Sequence, residues 1–275
     1  MNLDKVNEQG LVLLGCGKMG SAMLAGWLAG GLRRESVYVI DPQPSDWVQG
    51  LAREGLHLNR ELPPSPAIAV VAVKPQTMGD ALPQLQALGG AETVFLSIAA
   101  GTPIAAFERA LGETTPIIRA MPNTPAAVGH GITAIIGNAR VDETALQLAE
   151  TLLGAVGETV RLDDETQMDA VTAVSGSGPA YVFHMIECMA RAGEAEGLPA
   201  DLALRLALVT VAGAGDLAEK VDEGPDQLRV NVTSPRGTTA AALAILMDEQ
   251  DGLPPLMRRA VAAAAARSRE LATGK

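Results

Sequence analysis

Short apolar runs recur through residues 11–162, separated by polar or amphipathic segments. The runs at 11–14, 37–41, 67–73, 93–98, 117–120, 131–137 and 156–162 predict strands. Segments between them predict helices at 18–30, 46–54, 78–88, 103–111 and 142–153. The run at 67–73 is apolar at every position, which is typical of a strand buried in a parallel sheet. This alternation predicts an α/β fold with a doubly wound sheet.

The pattern changes near residue 163. From there to the end, the sequence predicts helices and almost no strand, at 167–174, 179–196, 199–221, 239–248 and 254–271. We therefore predict two domains, one at 1–163 built on the sheet and an all-helical one at 164–275.

Two helices of the second domain are apolar on most of their faces. In 179–196 the apolar side chains are Tyr181, Val182, Phe183, Met185, Ile186 and Met189. The helix at 199–221 is similar and rich in alanine and glycine. A helix that is apolar all round must be buried, and about 110 helical residues offer little core for several of them. We predict that they form a homodimer interface, the alternative being an ordinary helical core.

Composition and charge narrow the class of protein. Of 275 residues, 48% are hydrophobic, which allows a sizeable core, and the net charge of −11 argues against a nucleic-acid surface. We expect no membrane span, because no apolar run reaches bilayer length. With no signal-like start and two separated cysteines, Cys16 and Cys188, we expect the cytoplasm and no disulfide. No Cys/His cluster has metal-ligand spacing, so no metal is predicted.

A glycine motif follows the first predicted strand. The segment Gly15-Cys16-Gly17-Lys18-Met19-Gly20 stands between that strand and the first helix and fits G-x-G-x-x-G. Gly15 permits the turn, Gly17 lets the backbone approach a pyrophosphate, and Gly20 lets the helix pack closely on the strand. The helix N-terminus then faces the phosphates. The alternative is a plain strand–helix turn, but the second strand ends in Asp41, where a ribose-binding acid belongs.

Asp41 bears on the choice of cofactor. A carboxylate at this point accepts both ribose hydroxyls and repels a 2′-phosphate. No arginine follows Asp41 closely, since Arg33 and Arg34 precede the strand. We expect NADH to be used at least as well as NADPH.

Other predicted strands also end in unusual sequence. Ligands of an open α/β sheet bind at the carboxyl ends of its strands, and such ends carry Val73-Lys74-Pro75, Ala99-Ala100-Gly101 and the proline-rich turn 121–125. Lys74 is a candidate cofactor contact or proton donor, the alternative being a solvated lysine. The turn is a candidate pocket wall, or simply a turn.

Glycine-rich segments also precede two helices of the second domain. Ser175-Gly176-Ser177-Gly178 comes before Pro179, and Ser234-Pro235-Arg236-Gly237-Thr238-Thr239 comes before the helix that ends near Asp248. Neither helix has an acid in its first turn, so each N-terminus is a candidate site for a small anion such as a carboxylate. Alternatively, the serines and threonines only cap the helices.

The three histidines lack an obvious acid partner in the sequence. His57 is in a polar segment, His130 follows a turn, and His184 is inside an apolar helix. Alcohol oxidation usually needs a base such as histidine or lysine. Here the candidates are hydroxyls, glycines and main-chain amides, which suit a substrate that brings its own proton, such as a protonated imine.

The whole pattern resembles one enzyme family, the pyrroline-5-carboxylate reductases. The matching segments stand in the family's order: GCGKMG (15–20), AVKPQ (72–76), SIAAG (97–101), RAMPNTP (119–125), AVSGSGPAY (173–181) and NVTSPRGTTAAAL (231–243). The resemblance implies a Rossmann-type domain, a C-terminal helical dimerisation domain and, in many members, a ring of dimers. It implies reduction of L-1-pyrroline-5-carboxylate to L-proline by NADPH or NADH.

The resemblance also implies roles for individual residues. Thr239 resembles the catalytic hydroxyl that contacts the ring nitrogen, and the amides around Gly237, Thr238 and Thr239, with Ser234 beside them, resemble the carboxylate site. Ser175, Gly176, Ser177 and Gly178 would form the pocket wall. The cofactor would contact Gly15, Cys16, Gly17, Lys18, Met19, Gly20, Ala72, Val73, Lys74, Pro75, Ile98, Ala99 and Ala100, with Asn231 nearby.

Arg236 departs from the family pattern, because a glycine is expected at its position. If its backbone has a positive φ, an arginine there is strained, and we assign it no role. Alternatives to the reductase are a related imine or β-hydroxyacid reductase with Lys74 as the acid, and a non-catalytic nucleotide-sensing regulator on the same fold. The intact segment 231–243 argues against both.

Overall fold

The computed structural model describes residues 3–90 and 92–272. The chain forms two compact units, Met1–Gly176 with Ala265–Lys275, and Ser177–Ala264. The first unit contains the sheet and the second is helical. The domain limit expected after residue 163 stays a prediction.

One eight-stranded sheet organises the first unit, in the order β3-β2-β1-β4-β5-β6-β7-β8. Neighbouring strands are parallel except β6 and β7, which are antiparallel. The strands are β1 Leu11–Leu14, β2 Val37–Ile40, β3 His57–Leu58, β4 Ile68–Val71, β5 Val94–Ser97, β6 Ile117–Met121, β7 Gly131–Gly137 and β8 Gly157–Arg161. The predicted α/β class and seven of these strands are confirmed. β3 was not predicted, because two residues make no apolar run.

The helices agree with the predicted alternation. The first unit contains α1 Asp4–Gln9, α2 Lys18–Ala29, α3 Asp46–Arg53, α4 Met78–Ala81, α5 Ile104–Leu111, α6 Glu143–Leu153 and α7 Met168–Val171. The chain continues after α4 as a 3₁₀ helix, Leu82–Leu88, and after α7 as a π-helix, Thr172–Gly176. The remaining helices are α8 Gly178–Ala195, α9 Ala200–Lys220, α10 Pro225–Asn231, α11 Thr238–Leu246 and α12 Leu253–Ala272.

Alternate residues of the central strands pack into two separate hydrophobic layers. Leu11 and Leu13 of β1 face a layer with α2, α3 and α6, whereas Val12 and Leu14 face one with α5 and Leu82–Leu88. Every residue of β1, β4 and β5 is buried, because helices cover both faces of the sheet. In the first layer, the Trp27 indole donates a hydrogen bond of 2.8 Å to the Leu152 carbonyl and so joins α2 to α6.

The strand register brings the carboxyl ends of the central strands to one level. Leu14, the last residue of β1, is paired with Ile40 at the end of β2 and with Val71 at the end of β4. Val71 is in turn paired with Ser97, the last residue of β5. The loops after these four strands therefore start side by side. The strand order reverses at β1, where open α/β sheets bind ligands.

The helical unit leaves much apolar surface uncovered within one chain. Among its described side chains the apolar buried ones are alanines, Ala190, Ala203 and Ala207 of α8 and α9. By contrast, Phe183 is 59% exposed and Val209 58%. Exposed apolar patches of this kind mark association surfaces. Within residues 3–90 and 92–272, no helix combines the length and apolarity needed to cross a membrane.

Candidate active site

The glycine motif lies where the central strands end, and its three glycines have the geometry expected of them. Gly15 has φ of 86°, and a Cβ there would lie 2.8 Å from Val73 Cγ1. A Cβ on Gly20 would lie 2.6 Å from the Gly15 carbonyl oxygen. Any larger residue at either position would push β1, α2 and the loop after β4 apart.

Gly17 differs from the other two glycines, because a Cβ there would meet no protein atom within 4 Å. Gly17 is the N-cap of α2, which has neither a side-chain cap nor an acid in its first turn. Its exposed neighbour Lys18 adds positive charge beside the helix N-terminus. Open space, unpaired N–H groups and the positive end of the helix dipole fit a pyrophosphate. The residues present therefore fit a dinucleotide.

Cys16 is a buried residue of this loop and not a reactive group. Its Sγ lies 3.5 Å from Ser21 Oγ, and the Ser21 hydroxyl donates to the Cys16 carbonyl oxygen at 2.9 Å. Burial is the main cause that raises the pKa of the Cys16 thiol; the Ser21 hydrogen bond opposes it, and the Asp41 carboxylate adds to it. The thiol is therefore uncharged at neutral pH and no nucleophile.

Asp41 lies directly beside the glycine motif. Its Oδ2 accepts the Cys16 main-chain N–H at 2.8 Å, and its Oδ1 accepts the Gln43 N–H at 2.8 Å. The Asn59 carboxamide holds the main chain of Asp41 with two hydrogen bonds, accepting from its N–H at 2.9 Å and donating to its carbonyl at 2.8 Å. The carboxylate is thus fixed at the end of β2. Nothing in the sequence pattern indicated Asn59, because β3 was not predicted.

The other predicted cofactor segments start at the same sheet edge. Ala72 donates its N–H to the Leu14 carbonyl at 2.8 Å, and Ile98 donates to Val71 at 3.0 Å. Lys74 is exposed and precedes a 3₁₀ turn, Pro75–Thr77, in which the Thr77 hydroxyl donates to the Lys74 carbonyl at 3.0 Å. The first unit therefore brings together residues 15–20, Asp41, 72–75 and 98–100.

Ser175 and Gly176 belong to the first unit and lie in its π-helix. A Cβ on Gly176 would lie 2.5 Å from Met121 Cε, so this segment reaches the carboxyl end of β6. Ser175 Oγ is buried and has no hydrogen-bond partner in the described part of the chain. A buried hydroxyl without a partner costs free energy, and π-helical turns are frequent at functional sites. Ser175 thus has a hydroxyl available to a ligand.

The helical unit contains both of the helix N-termini singled out in the sequence. Ser177 is the N-cap of α8, so Pro179 is the second helical residue and not the first, as the sequence suggested. Gly237 is the N-cap of α11, whose first residues are Thr238 and Thr239. Both helices lack a side-chain cap and an acid in the first turn. The serines and threonines here do not act as caps. At the start of α11 the N–H groups of Thr238 and Thr239 remain open to an anion, whereas in α8 Pro179 has no N–H and the Ala180 N–H donates to the Ser177 carbonyl at 3.0 Å.

The turn before α11 has a strained residue. Gly237 donates its N–H to the Ser234 carbonyl at 3.0 Å, which closes a turn with Pro235 and Arg236 at its centre. Arg236 has φ of 59°, in the left-handed region that favours glycine. The strain expected for an arginine at this position is therefore present. A Cβ on Gly237 would collide with Ser234 Oγ, so a larger residue there would require the Ser234 side chain to turn away.

Asn231 is the last residue of α10, and its side chain is engaged within the helical unit. Its amide donates to Glu223 Oε2, and its Oδ1 accepts from Gln227 Nε2 at 2.8 Å. Its predicted role near the cofactor stays a prediction.

Two histidines have surroundings that the sequence did not indicate. His57 is in β3 rather than in a loop, and its ring stacks on Tyr38 with centroids 4.3 Å apart. His184 is exposed and does have an acid partner, Glu187, with Nδ1 3.2 Å from Oε2. Both arrangements are structural packing or surface contacts. Among the described residues, no three or more His, Cys, Asp and Glu side chains are grouped to hold a metal ion.

Comparison with known proteins identifies the family of this chain. Residues 165–271 match the family model described as pyrroline-5-carboxylate reductase dimerisation, and residues 10–101 match that of NADP oxidoreductase, coenzyme F420-dependent. The pyrroline-5-carboxylate reductase of Pseudomonas aeruginosa is 39% identical over 265 residues, covering 95% of this chain and 96% of the relative. The chain belongs to the pyrroline-5-carboxylate reductase family.

Solved structures of pyrroline-5-carboxylate reductases have the same fold. The Coxiella burnetii protein superposes with a TM-score of 0.88 at 32% identity, covering 96% of this chain and 98% of that one. The Plasmodium falciparum protein, solved with NADP bound, gives a TM-score of 0.81 at 29% identity, covering 97% and 99%. The match therefore extends over both the Rossmann-type part and the helical part. The resemblance found in the sequence is confirmed.

Proposed function

We propose that this protein reduces L-1-pyrroline-5-carboxylate to L-proline with NADPH or NADH, the last step of proline biosynthesis. The observation that carries this proposal is the similarity to pyrroline-5-carboxylate reductases over 95% of the chain. It is supported by the glycine motif at the switch point of the sheet and by the open N-terminus of α11. A bound nicotinamide cofactor supplies the hydride for the carbon of the C=N bond.

We assign the cofactor to the first unit. The N–H groups at the start of α2 would bind its pyrophosphate, with Gly15, Gly17 and Gly20 keeping the backbone close. Asp41 would accept the hydroxyls of the adenosine ribose. The segments 72–75 and 98–100 would line the path of the cofactor along the strand ends. Cys16, Lys18 and Met19 complete the assignment within the first unit.

We assign the substrate carboxylate to the N-terminus of α11. The main-chain N–H groups of Thr238 and Thr239 precede the first helical hydrogen bond, in which the Ala241 N–H reaches the Gly237 carbonyl at 3.2 Å. They are therefore free to donate to an anion. Ser234 would stand beside the carboxylate. Ser175, Gly176, Ser177 and Gly178 would form the pocket wall.

The Thr239 hydroxyl would contact the ring nitrogen of the substrate. With the carboxylate held by main-chain N–H groups and the nitrogen by Thr239, one face of the C=N carbon is presented for reduction. The protonated imine carries its own positive charge, so no strong acid is needed next to it. In this mechanism the protein contributes mainly position and orientation.

We further propose that the protein forms a homodimer through its helical unit. We also propose that these dimers assemble into a ring, as the resemblance implies for many members of the family. The exposed apolar faces of α8 and α9 support the dimer. Both cysteines are unpaired thiols, which supports a cytoplasmic location.

A direct assay tests the reaction. Purified protein is mixed with the substrate and either cofactor, and loss of reduced-nicotinamide absorbance is followed while proline is measured in the same sample. One proline should form for each cofactor oxidised. A protein that oxidises neither cofactor with this substrate, but reduces another imine or a keto acid, would contradict the proposal.

A further inference from the structure

The turn after β3 places an arginine, Arg60, at the end of the sheet to which we assign the cofactor. β3 pairs with β2, so Asn59 and Arg60 follow a strand that ends beside Asp41. The Asn59 N–H donates to the Val39 carbonyl at 2.8 Å, and its carboxamide makes both hydrogen bonds to the Asp41 main chain. Arg60, the next residue, therefore follows directly on the segment that holds the main chain of Asp41, the acid expected to favour NADH.

Arg60 lines a cavity of about 710 Å³ at the carboxyl ends of β1, β2 and β4. Its apolar wall is formed by Leu14, Ile40, Pro42 and Val73. A volume of this size is typical of small-molecule sites, and its place at the switch point suits the adenosine half of a dinucleotide.

Arg60 is the cation of this cavity. Of the described residues that line it, Arg60 alone is positively charged, and Glu61 and Asp80 are negative. The described part of the chain offers the Arg60 guanidinium no ion pair within 4.0 Å. An arginine with its donors free matches a phosphate group, which it binds through two parallel hydrogen bonds.

We propose that Arg60 binds the 2′-phosphate of NADPH, and that it thereby admits NADPH to a site in which Asp41 suits NADH. Asp41 alone would repel the 2′-phosphate, and the guanidinium at the same end of the sheet would offset that repulsion. The proposal rests on the cofactor assignment of the proposed function but not on the identity of the imine.

Cofactor binding without substrate tests this proposal. The dissociation constants of NADPH and NADH are measured by nicotinamide fluorescence for the full-length parent, Arg60→Ala, Arg60→Lys and a control, Arg53→Ala. Arg53 is an exposed arginine of α3 that does not line the cavity. Circular dichroism melting of each variant verifies the fold.

Arg60→Ala should raise the dissociation constant of NADPH at least tenfold and change that of NADH by less than about twofold. The reason is that loss of a charge-assisted pair of hydrogen bonds lowers affinity by more than about tenfold. The NADPH dissociation constant of Arg60→Lys should lie between those of the parent and Arg60→Ala, because lysine keeps the charge without the paired donors. Arg53→Ala should bind both cofactors as tightly as the parent does.

Equal weakening of both cofactors by Arg60→Ala, or no change in their ratio, would overturn the proposal, as would a parent that binds NADH and not NADPH. A parent that binds both with the expected ratios, yet fails to reduce pyrroline-5-carboxylate, would refute the proposed function and leave the role of Arg60 standing.

Discussion

The carboxylate of Asp41 accepts the main-chain N–H of Cys16 at 2.8 Å, which joins the end of β2 to the glycine motif after β1. The acid that we assign to the ribose and the loop that we assign to the pyrophosphate are therefore directly connected. Its position depends in turn on Asn59, which holds the Asp41 main chain from β3. We therefore expect cofactor choice to depend on the ends of three adjacent strands, β1, β2 and β3.

Asp41→Asn should move the cofactor preference toward NADPH. We expect the parent to use NADH at least as well as NADPH, because the carboxylate repels a 2′-phosphate. The substitution keeps an acceptor oxygen for the Cys16 N–H, loses the one that accepts the Gln43 N–H, and removes the charge. The ratio of kcat/KM for NADH to that for NADPH should therefore fall about tenfold. Steady-state kinetics with both cofactors measure it. A parent with a large NADPH preference would refute the premise.

Thr239→Val should lower kcat/KM for the imine by about 10- to 100-fold, the rate equivalent of a hydrogen bond to a charged group of roughly 1–3 kcal/mol. The change keeps the side-chain shape and removes the hydroxyl. Binding of NADH should stay within about twofold, because its pyrophosphate is assigned to residues 15–20. Thr239→Ser, the matched control, should retain most activity. Full activity of Thr239→Val would transfer the assignment to Ser175 or Ser177.

Ser175→Ala should separate activity from stability. The Ser175 hydroxyl is buried without a partner, so its removal from the free protein should not destabilise it and should gain up to about 1 kcal/mol in the free energy of unfolding. If the hydroxyl binds a ligand, kcat/KM should nevertheless fall. Urea unfolding and kinetics on the same preparation test both parts. A less stable variant with unchanged kcat/KM would show a purely structural serine.

Met185→Glu should weaken the dimer and the activity together. Met185 is 42% exposed in one chain and lies on the apolar α8. If the partner covers it, the glutamate would be a buried unpaired charge, which is costly. Sedimentation velocity at micromolar concentration should show smaller species. Trp47→Glu is the control, since Trp47 is equally exposed at 42% but lies on α3 of the first unit. A parent that sediments as a monomer would disprove the interface.

Arg236→Gly should stabilise the protein. The left-handed conformation costs a non-glycine residue roughly 1–2 kcal/mol, and glycine loses about 0.4–1 kcal/mol of that gain through its freer unfolded chain. The net increase in unfolding free energy should be about 0.5–1 kcal/mol, measured by urea titration at one chain concentration. Arg229→Gly, within α10, should instead be destabilising by about 1 kcal/mol. A less stable Arg236→Gly would mean that the arginine side chain makes contacts in the assembly that outweigh its strain.

Much of the first unit was predictable from local pattern. The buried strands, the glycine motif and the open helix N-termini each depend on a few consecutive residues whose backbone requirements are strict. Gly15 and Gly20 illustrate this, because both sit where a Cβ would strike neighbouring backbone or side-chain atoms. Those requirements fixed the fold class and drew attention to residues 15–20, Asp41 and 234–239.

Contacts between residues that are distant in the sequence are determined by the folded structure. β3 is two residues long, and its pairing with β2 is set by the sheet. No local pattern could therefore indicate that Asn59 holds the Asp41 main chain or that Arg60 lines the cavity at the strand ends. The sequence showed no arginine following Asp41, whereas strand pairing supplies one from the next strand. The lone hydroxyl of Ser175 is likewise a property of packing around a π-helix. Hydrogen-bond partners and cavities are made by non-local contacts, and only the folded chain brings these groups together.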